Sequence, residues 1–293
     1  MSDCGRHGIT VIVFVGSVFS PYYRSAYRRA CRQGLTVDPN NHCAINVALY
    51  SPGQKRWAMT ERGHQWLQRG PDFYQLGPSQ VRWQNDQLVI DIREWANPIP
   101  RRIEGQVILR PHQLFSQVED LEPQGRHRWG PIAPMAQIQV NFPQPGIRWA
   151  GRGYLDSNEG DEPIDCPFQD WDWSRAEEPD GSCSVIYDVR LRDGSDYLLA
   201  KRYQPDGQIL EVEAPDRRNI GKTGWRINRQ LRHAGPSPTR IQTLEDTPFY
   251  ARSMVSLHAQ HGLSHLMHET LQVDRLISPA VQWMLPWRMP RRR

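Results

Sequence analysis

The sequence predicts an all-β protein of calyx-like antiparallel barrels, finished by a short C-terminal helix and tail. Three observations carry that reading. Between Met135 and Leu257 no apolar period of 3.6 persists through three turns. Turn residues instead punctuate short apolar or alternating runs at intervals of about 8–12 residues, the pattern of sandwiches and barrels. The 11 Trp and 10 Tyr supply wide apolar side chains for an interior that encloses a ligand.

Taken in order, residues 9–19 form an apolar run that reads as a buried strand, too short to span a bilayer and without a cleavage signature. Residues 20–31 mix aromatics and arginines in a loop and short helix, and residues 38–41 turn. Residues 43–50 are apolar enough for a buried strand, and 55–61 alternate. Residues 81–83 and 88–92 flank Asn85 and Asp86, a hairpin signal. Pro98 and Pro100 break the sheet, which resumes at 105–109 and 112–115. The proline- and glycine-spaced segment 122–134 is the expected junction, giving domains 1–132 and 133–293. In the second half, 135–142 and 146–156 read as strands and a meander begins at 184–189. Asp193-Gly194 and Asp206-Gly207 then bracket strand 198–203, with 209–213 following. From Pro279, the apolar Val281, Met284, Leu285 and Trp287 suit a short amphipathic helix that covers a barrel end or touches lipid.

The chain of 293 residues is long enough for two domains with their own cores. Lys+Arg is 36 against Asp+Glu 32, a net charge of +4, too mild for a nucleic-acid binder. Residues 156–172 are acidic while the chain ends Arg288-Met-Pro-Arg-Arg-Arg293. Such a basic, tryptophan-bearing tail suits an anionic membrane surface, or is a solvated terminus. Five cysteines without a C-x-x-C pair indicate neither a disulfide framework nor a zinc knuckle, and favour a reducing compartment. A cytoplasmic protein without a membrane span is expected.

His258, His261, His265 and His268 would share one side of a helix and suggest metal ligands. However, 249–257 and 263–273 alternate like strands around His261-Gly262, and a hairpin scatters the four, so no metal is expected. Gly221-Lys222-Thr223-Gly224 lacks the earlier glycine of a phosphate loop. Asp156-x-Asn158-x-Gly160 lacks the later ligands of a calcium loop. No G-x-S-x-G or G-x-G-x-x-G occurs, so neither a serine elbow nor a dinucleotide cofactor is expected.

The densest window of glycines, carboxylates and aromatics is 151–173. It opens as a strand, in which Tyr154 and Asp156 share one face. His127 and Trp129, about 25 residues earlier, have the same i, i+2 spacing. Two strands can thus deliver an acid, a phenol, an imidazole and an indole into one cavity. The alternative is a strand end followed by a solvated Asp-Ser-Asn turn. Glu159, Asp161, Glu162 and Asp165 read as solvated loop residues.

GSVFSPYY (16–23), HCAINVALY (42–50), RWAMTER (56–62), GRHRWGPIAP (125–134), GRGYLDSNEGDEP (151–163), WDWSR (171–175), LEDTPFYARS (244–253) and HET (268–270), in this order, resemble the carotenoid 1,2-hydratases, or hydroxyneurosporene synthases. The resemblance covers nearly the whole chain. It implies two lipocalin-like domains and the addition of water to the terminal double bond of acyclic carotenes such as neurosporene and lycopene in phototrophic bacteria. No organic cofactor is implied, and peripheral contact with the photosynthetic inner membrane is. The residues the family needs correspond to His127, Trp129, Tyr154 and Asp156, with the aspartate as proton donor. A non-catalytic carotenoid or lipid binder, or a protein that shapes a polyene for cyclisation, would show the same strands and aromatics.

Overall fold

The structure, a computed structural model, describes residues 1–259 and 262–292. Most of the chain is antiparallel strand, as the punctuated pattern predicts. It falls into two compact units, each assembled from separated stretches. One holds Met1–Pro111, Ala136–Gly153 and Gln282–Arg293, the other His112–Met135 and Tyr154–Val281. The contacts therefore group the chain differently from a single cut at 132/133. The reason lies in the segment 122–134. Its Gly130, Pro131 and Pro134 do not interrupt the backbone; they sit inside the long strand His127–Gln144, while Pro123 and Gly125 belong to the turn before it. Prolines are tolerated where the neighbouring segment uses only the strand's carbonyls, and here Phe115 N–H donates to Ile132 O at 2.9 Å and His112 N–H to Met135 O at 3.0 Å. Both this strand and Ile147–Gly160 contribute residues to each unit.

In the first unit, Gly8–Val15 pairs with Cys43–Tyr50, which pairs with Arg56–Arg62. Every residue of Cys43–Tyr50 is buried, as its apolar composition requires. Gly8–Val15 is instead an edge strand with Val13 and Val15 exposed, which corrects the expectation of a buried one: it is apolar but has a partner on one side only. The hairpin of Ser79–Gln84 and Gln87–Trp95 turns at Asn85 and Asp86, both at positive φ, the backbone this two-residue turn demands. Residues 112–115, expected to resume the sheet, lie outside any strand, the preceding strand being Arg102–Pro111.

The second unit is built on a seven-stranded antiparallel sheet. Its order is Ile209–Glu211, Asp196–Tyr203, Cys183–Leu191, Phe168–Glu177, Gly262–Gln272, Tyr250–Ala259, Arg240–Asp246. No sheet among the described residues closes into a barrel. Register fixes two faces of different chemistry. Trp173 lies opposite Tyr187 and Glu269, whereas Asp172 lies opposite Asp188 and Thr270. The hairpin Arg217–Lys222 and Asn228–Arg232 covers the second face, where Ile220 and Leu231 pack on Val255, Leu257 and Leu266.

Candidate active site

The strands His127–Gln144 and Ile147–Gly160 place Trp129 and Asp156 in hydrogen-bond reach. The indole Nε1–H of Trp129 donates to Asp156 Oδ2 at 2.8 Å, and the Tyr154 hydroxyl donates to the same oxygen at 3.1 Å. Both donors use Oδ2, so in the acid form the proton belongs on Oδ1. The i, i+2 spacing of Tyr154 and Asp156 has the predicted effect. A phenol and a carboxyl share one wall.

That wall is aromatic. Trp129 is fully buried and meets Tyr187 and Tyr203 edge-on, with ring centroids 5.7 and 6.4 Å apart. Tyr154 stacks obliquely on Trp173 at 5.5 Å, and the Arg175 guanidinium lies 4.8 Å from the Tyr154 ring centroid. Asp156 is half-buried, enclosed by protein yet retaining an accessible face. Burial raises its pKa above the usual carboxylate range and the nearby Glu269 raises it further, while the Trp129 and Tyr154 hydrogen bonds and Arg175 oppose the rise. Burial also pushes the Tyr154 and Tyr187 phenols well up, so both stay neutral donors. A carboxyl raised in pKa by burial, held by two neutral donors among rings, is equipped to give a proton to an apolar molecule.

His127 stands apart from this group. Its ring meets Phe168 edge-on at 4.8 Å and connects to the indole through Phe168, Trp171 and Tyr187. Glu122 anchors the preceding turn by accepting the backbone N–H groups of Gln124, Arg126 and His127. The imidazole packs against bare backbone at Gly160, where a Cβ would lie 2.6 Å from Nδ1. Burial lowers the His127 pKa, against the opposing charge of Glu122, and Nε2 is buried without a hydrogen-bond partner. The structure thus joins three of the four candidates by hydrogen bonds and leaves the histidine as a neutral wall residue. The acidic residues after Asp156 form ion pairs rather than standing free. Arg128 holds Glu159 at 2.8 Å and Asp161 at 2.9 Å, and Arg126 holds Glu162 at 2.9 Å.

The histidines of the last hairpin divide as expected from alternation. Ser256 lies opposite His265 and Ser253 opposite His268, so these two histidines occupy opposite faces, with His268 buried and His258 and His265 exposed. His261 lies outside the described residues.

A model of the family described as carotenoid hydratase CrtC matches residues 11–293. The chain belongs to this family. The acyclic carotenoid 1,2-hydratase of Rubrivivax gelatinosus is 50% identical over 293 residues, spanning 100% of this chain and 71% of that one. That of Cereibacter sphaeroides is 35% identical over 284 residues, spanning 96% and 98%. Among solved structures, one described as AttH from Nitrosomonas europaea has a TM-score of 0.57 at 15% identity, covering 92% of this chain and 89% of that one, a likeness of fold. Within this carotenoid hydratase family member, sequence reasoning missed Arg175, Tyr187 and Glu269. The alternation of Trp171, Trp173 and Arg175 was a legible signal for the first. Glu269 had none, because only the register opposite Trp173 brings it to this face.

Proposed function

We propose that this protein is an acyclic carotenoid 1,2-hydratase, a hydro-lyase that adds water to the terminal C=C of a linear carotene to give a tertiary alcohol. The observation that carries the reading is the Asp156 carboxyl, raised in pKa and held by Trp129 and Tyr154 inside an aromatic wall. Hydration of a trisubstituted alkene begins with a proton. The Asp156 Oδ1–H bond breaks, and the alkene π pair forms a C–H bond at the less substituted carbon. A tertiary cation remains on the other. Indole and phenol faces stabilise such a cation by about 2 kcal/mol when water is excluded. Water then attacks the cation, and the Asp156 carboxylate takes a proton from the resulting oxonium, so the acid is regenerated and the net change is addition of one water. Trp129 and Tyr154 orient the carboxyl and temper its pKa. His127 serves as a neutral wall of the cavity. Lipocalin-like architecture belongs to the same proposal, because an antiparallel sheet with one aromatic face offers a polyene an apolar wall whether or not its ladder closes.

A linear carotene is insoluble in water, so the protein would work from the cytoplasmic side in peripheral contact with the photosynthetic inner membrane. No helix among the described residues is long and apolar enough to cross a membrane. The test is anaerobic incubation with lycopene or neurosporene in detergent and isotopically labelled water, with Asp156→Asn alongside. Label in a tertiary hydroxyl from the unmodified protein alone is expected. Bound but unchanged polyene in both would identify a carrier, and product from both would remove Asp156 as the donor.

A further inference from the structure

The sequence directs attention to the terminal arginines as a lipid contact, and the structure engages Arg291 otherwise. Arg291–Arg292 pairs in parallel with Glu61 and Arg62. The Arg291 guanidinium hydrogen-bonds the buried Glu61, which also accepts from His42 Nδ1 at 2.8 Å and from Ser20. The backbone N–H of Glu61 donates to Pro290 O at 3.0 Å. This end of the chain is a clasp inside the first unit, and its removal would leave a buried carboxylate without its cation.

What remains open is the helix just before it. In Pro279–Arg288, Leu285 is turned inward and buried, as is Met289 just beyond it. Trp283 and Trp287, four residues apart and so on one helical face, are 72% and 71% exposed, with Met284 exposed between them. A second apolar stripe facing outward needs another reason than the core. Arg288 binds this helix to a neighbouring loop. Its guanidinium lies 4.5 Å from the Trp57 ring centroid and donates to Asn97 O at 3.0 Å. That loop carries Ile99, 63% exposed between two prolines, next to the exposed Trp95, Arg101 and Arg102. Residues 95–102 and 282–292 contain no carboxylate side chain.

The geometry points to the surface formed by Trp283, Met284, Trp287 and Ile99, rimmed by Arg101, Arg102 and Arg288, as a docking face for an anionic lipid bilayer. Tryptophan places its ring at the headgroup level, an exposed isoleucine reaches the acyl boundary, and arginine pairs with lipid phosphate. A second copy of the chain fits less well, because a two-fold contact would set arginine rim against arginine rim. The inference specifies the membrane contact named under the proposed function, yet it stands independently of the chemistry at Asp156.

The test uses the full chain and carotene-free vesicles, so its outcome is separate from any assay of hydration. Sedimentation is compared on phosphatidylcholine vesicles with and without phosphatidylglycerol, at low and high salt. The unaltered protein is expected to partition onto the anionic vesicles and to be released by salt. Trp283→Ser with Trp287→Ser should lower that partition by about tenfold or more with an unchanged thermal transition, since both rings are exposed. Ile99→Ser and Arg101→Gln act in the same direction by smaller factors, and give a second route should the double variant fold poorly. Equal partition onto neutral and anionic vesicles, an unaltered partition in all three variants, or a dimer that the tryptophan variant dissociates would each overturn the proposal.

Discussion

Asp156 and Asp188 are two enclosed carboxyls of the same unit, associated with opposite faces of one sheet, and their neighbours send them in opposite directions. Asp156 sits among Trp129, Tyr154 and Trp173, with neutral donors on a single oxygen and Glu269 nearby. Burial there wins, and the pKa is raised above the ordinary carboxylate value. Burial works against the charge of Asp188 too, but Arg217 and Arg232 both bond it, at 2.8 and 2.7 Å from Oδ2. Those hydrogen bonds and charges outweigh desolvation and hold its pKa below the ordinary value. Around it, Arg190 bridges Asp170 and Asp172, and Thr270 and the Gln230 N–H serve Asp172. The lesson is one of partner type. Desolvation acts on both carboxyls, and whether the compensating donors are cations or neutral groups decides between a stabilising ion pair and a proton donor.

The largest expected effect breaks the pair on its chemical side. Asp156→Asn should reduce hydration by about 10³-fold or more, read as labelled tertiary alcohol. The same variant should unfold at a higher temperature at alkaline pH. A carboxyl with a raised native pKa costs stability as pH climbs from its unfolded value towards its native one, and asparagine carries no such cost. The gap should close by about pH 3, where both forms are neutral.

Next comes the opposite face. Asp188→Asn should cost about 3 kcal/mol at neutral pH, because two guanidinium groups lose a buried anion. Here the sign reverses. A depressed native pKa contributes stability above the unfolded pKa, and that contribution is lost as pH falls through the native value, so variant and parent should converge in acid. Denaturant melts across pH check both slopes, and parallel slopes for the two variants would sink the comparison.

Tyr154→Phe should lower turnover by about tenfold through loss of one donor to Asp156. It should also move the alkaline limb of the pH–rate profile upward, because that donor favours the carboxylate. Smallest is Glu269→Gln. Removing a like charge should ease ionisation of Asp156, so activity is lost at lower pH by less than about one unit, with the maximal rate nearly retained. An alkaline limb that moved upward instead would show that Glu269 does not act on this carboxyl.

Much of this was legible before any coordinates. The hairpin at Asn85 and Asp86, the fully buried 43–50 strand and the short terminal helix follow from turn chemistry and apolar pattern, which are local. Tyr154 beside Asp156 follows from strand alternation alone. The edge position of Gly8–Val15 was not legible, because composition reports apolarity but not the number of neighbours a strand has. That Gly130, Pro131 and Pro134 of the expected junction 122–134 lie inside a strand was not legible, because glycine and proline look alike in a loop and in a strand stretch where a neighbour uses the carbonyls.

By itself, the sequence determined the all-β class and the family, and it put Tyr154 and Asp156 on one strand face, since all of these rest on residue identity and period. The tertiary structure alone decided that Trp129 and Tyr154 converge on Oδ2 while His127 does not, that Glu269 and Arg175 attend the same carboxyl, and that Arg291 closes on Glu61. Apart from Tyr154 with Asp156, these contacts join residues far apart in the chain. Strand register and packing set them, and no local pattern encodes the partner a side chain meets across a sheet.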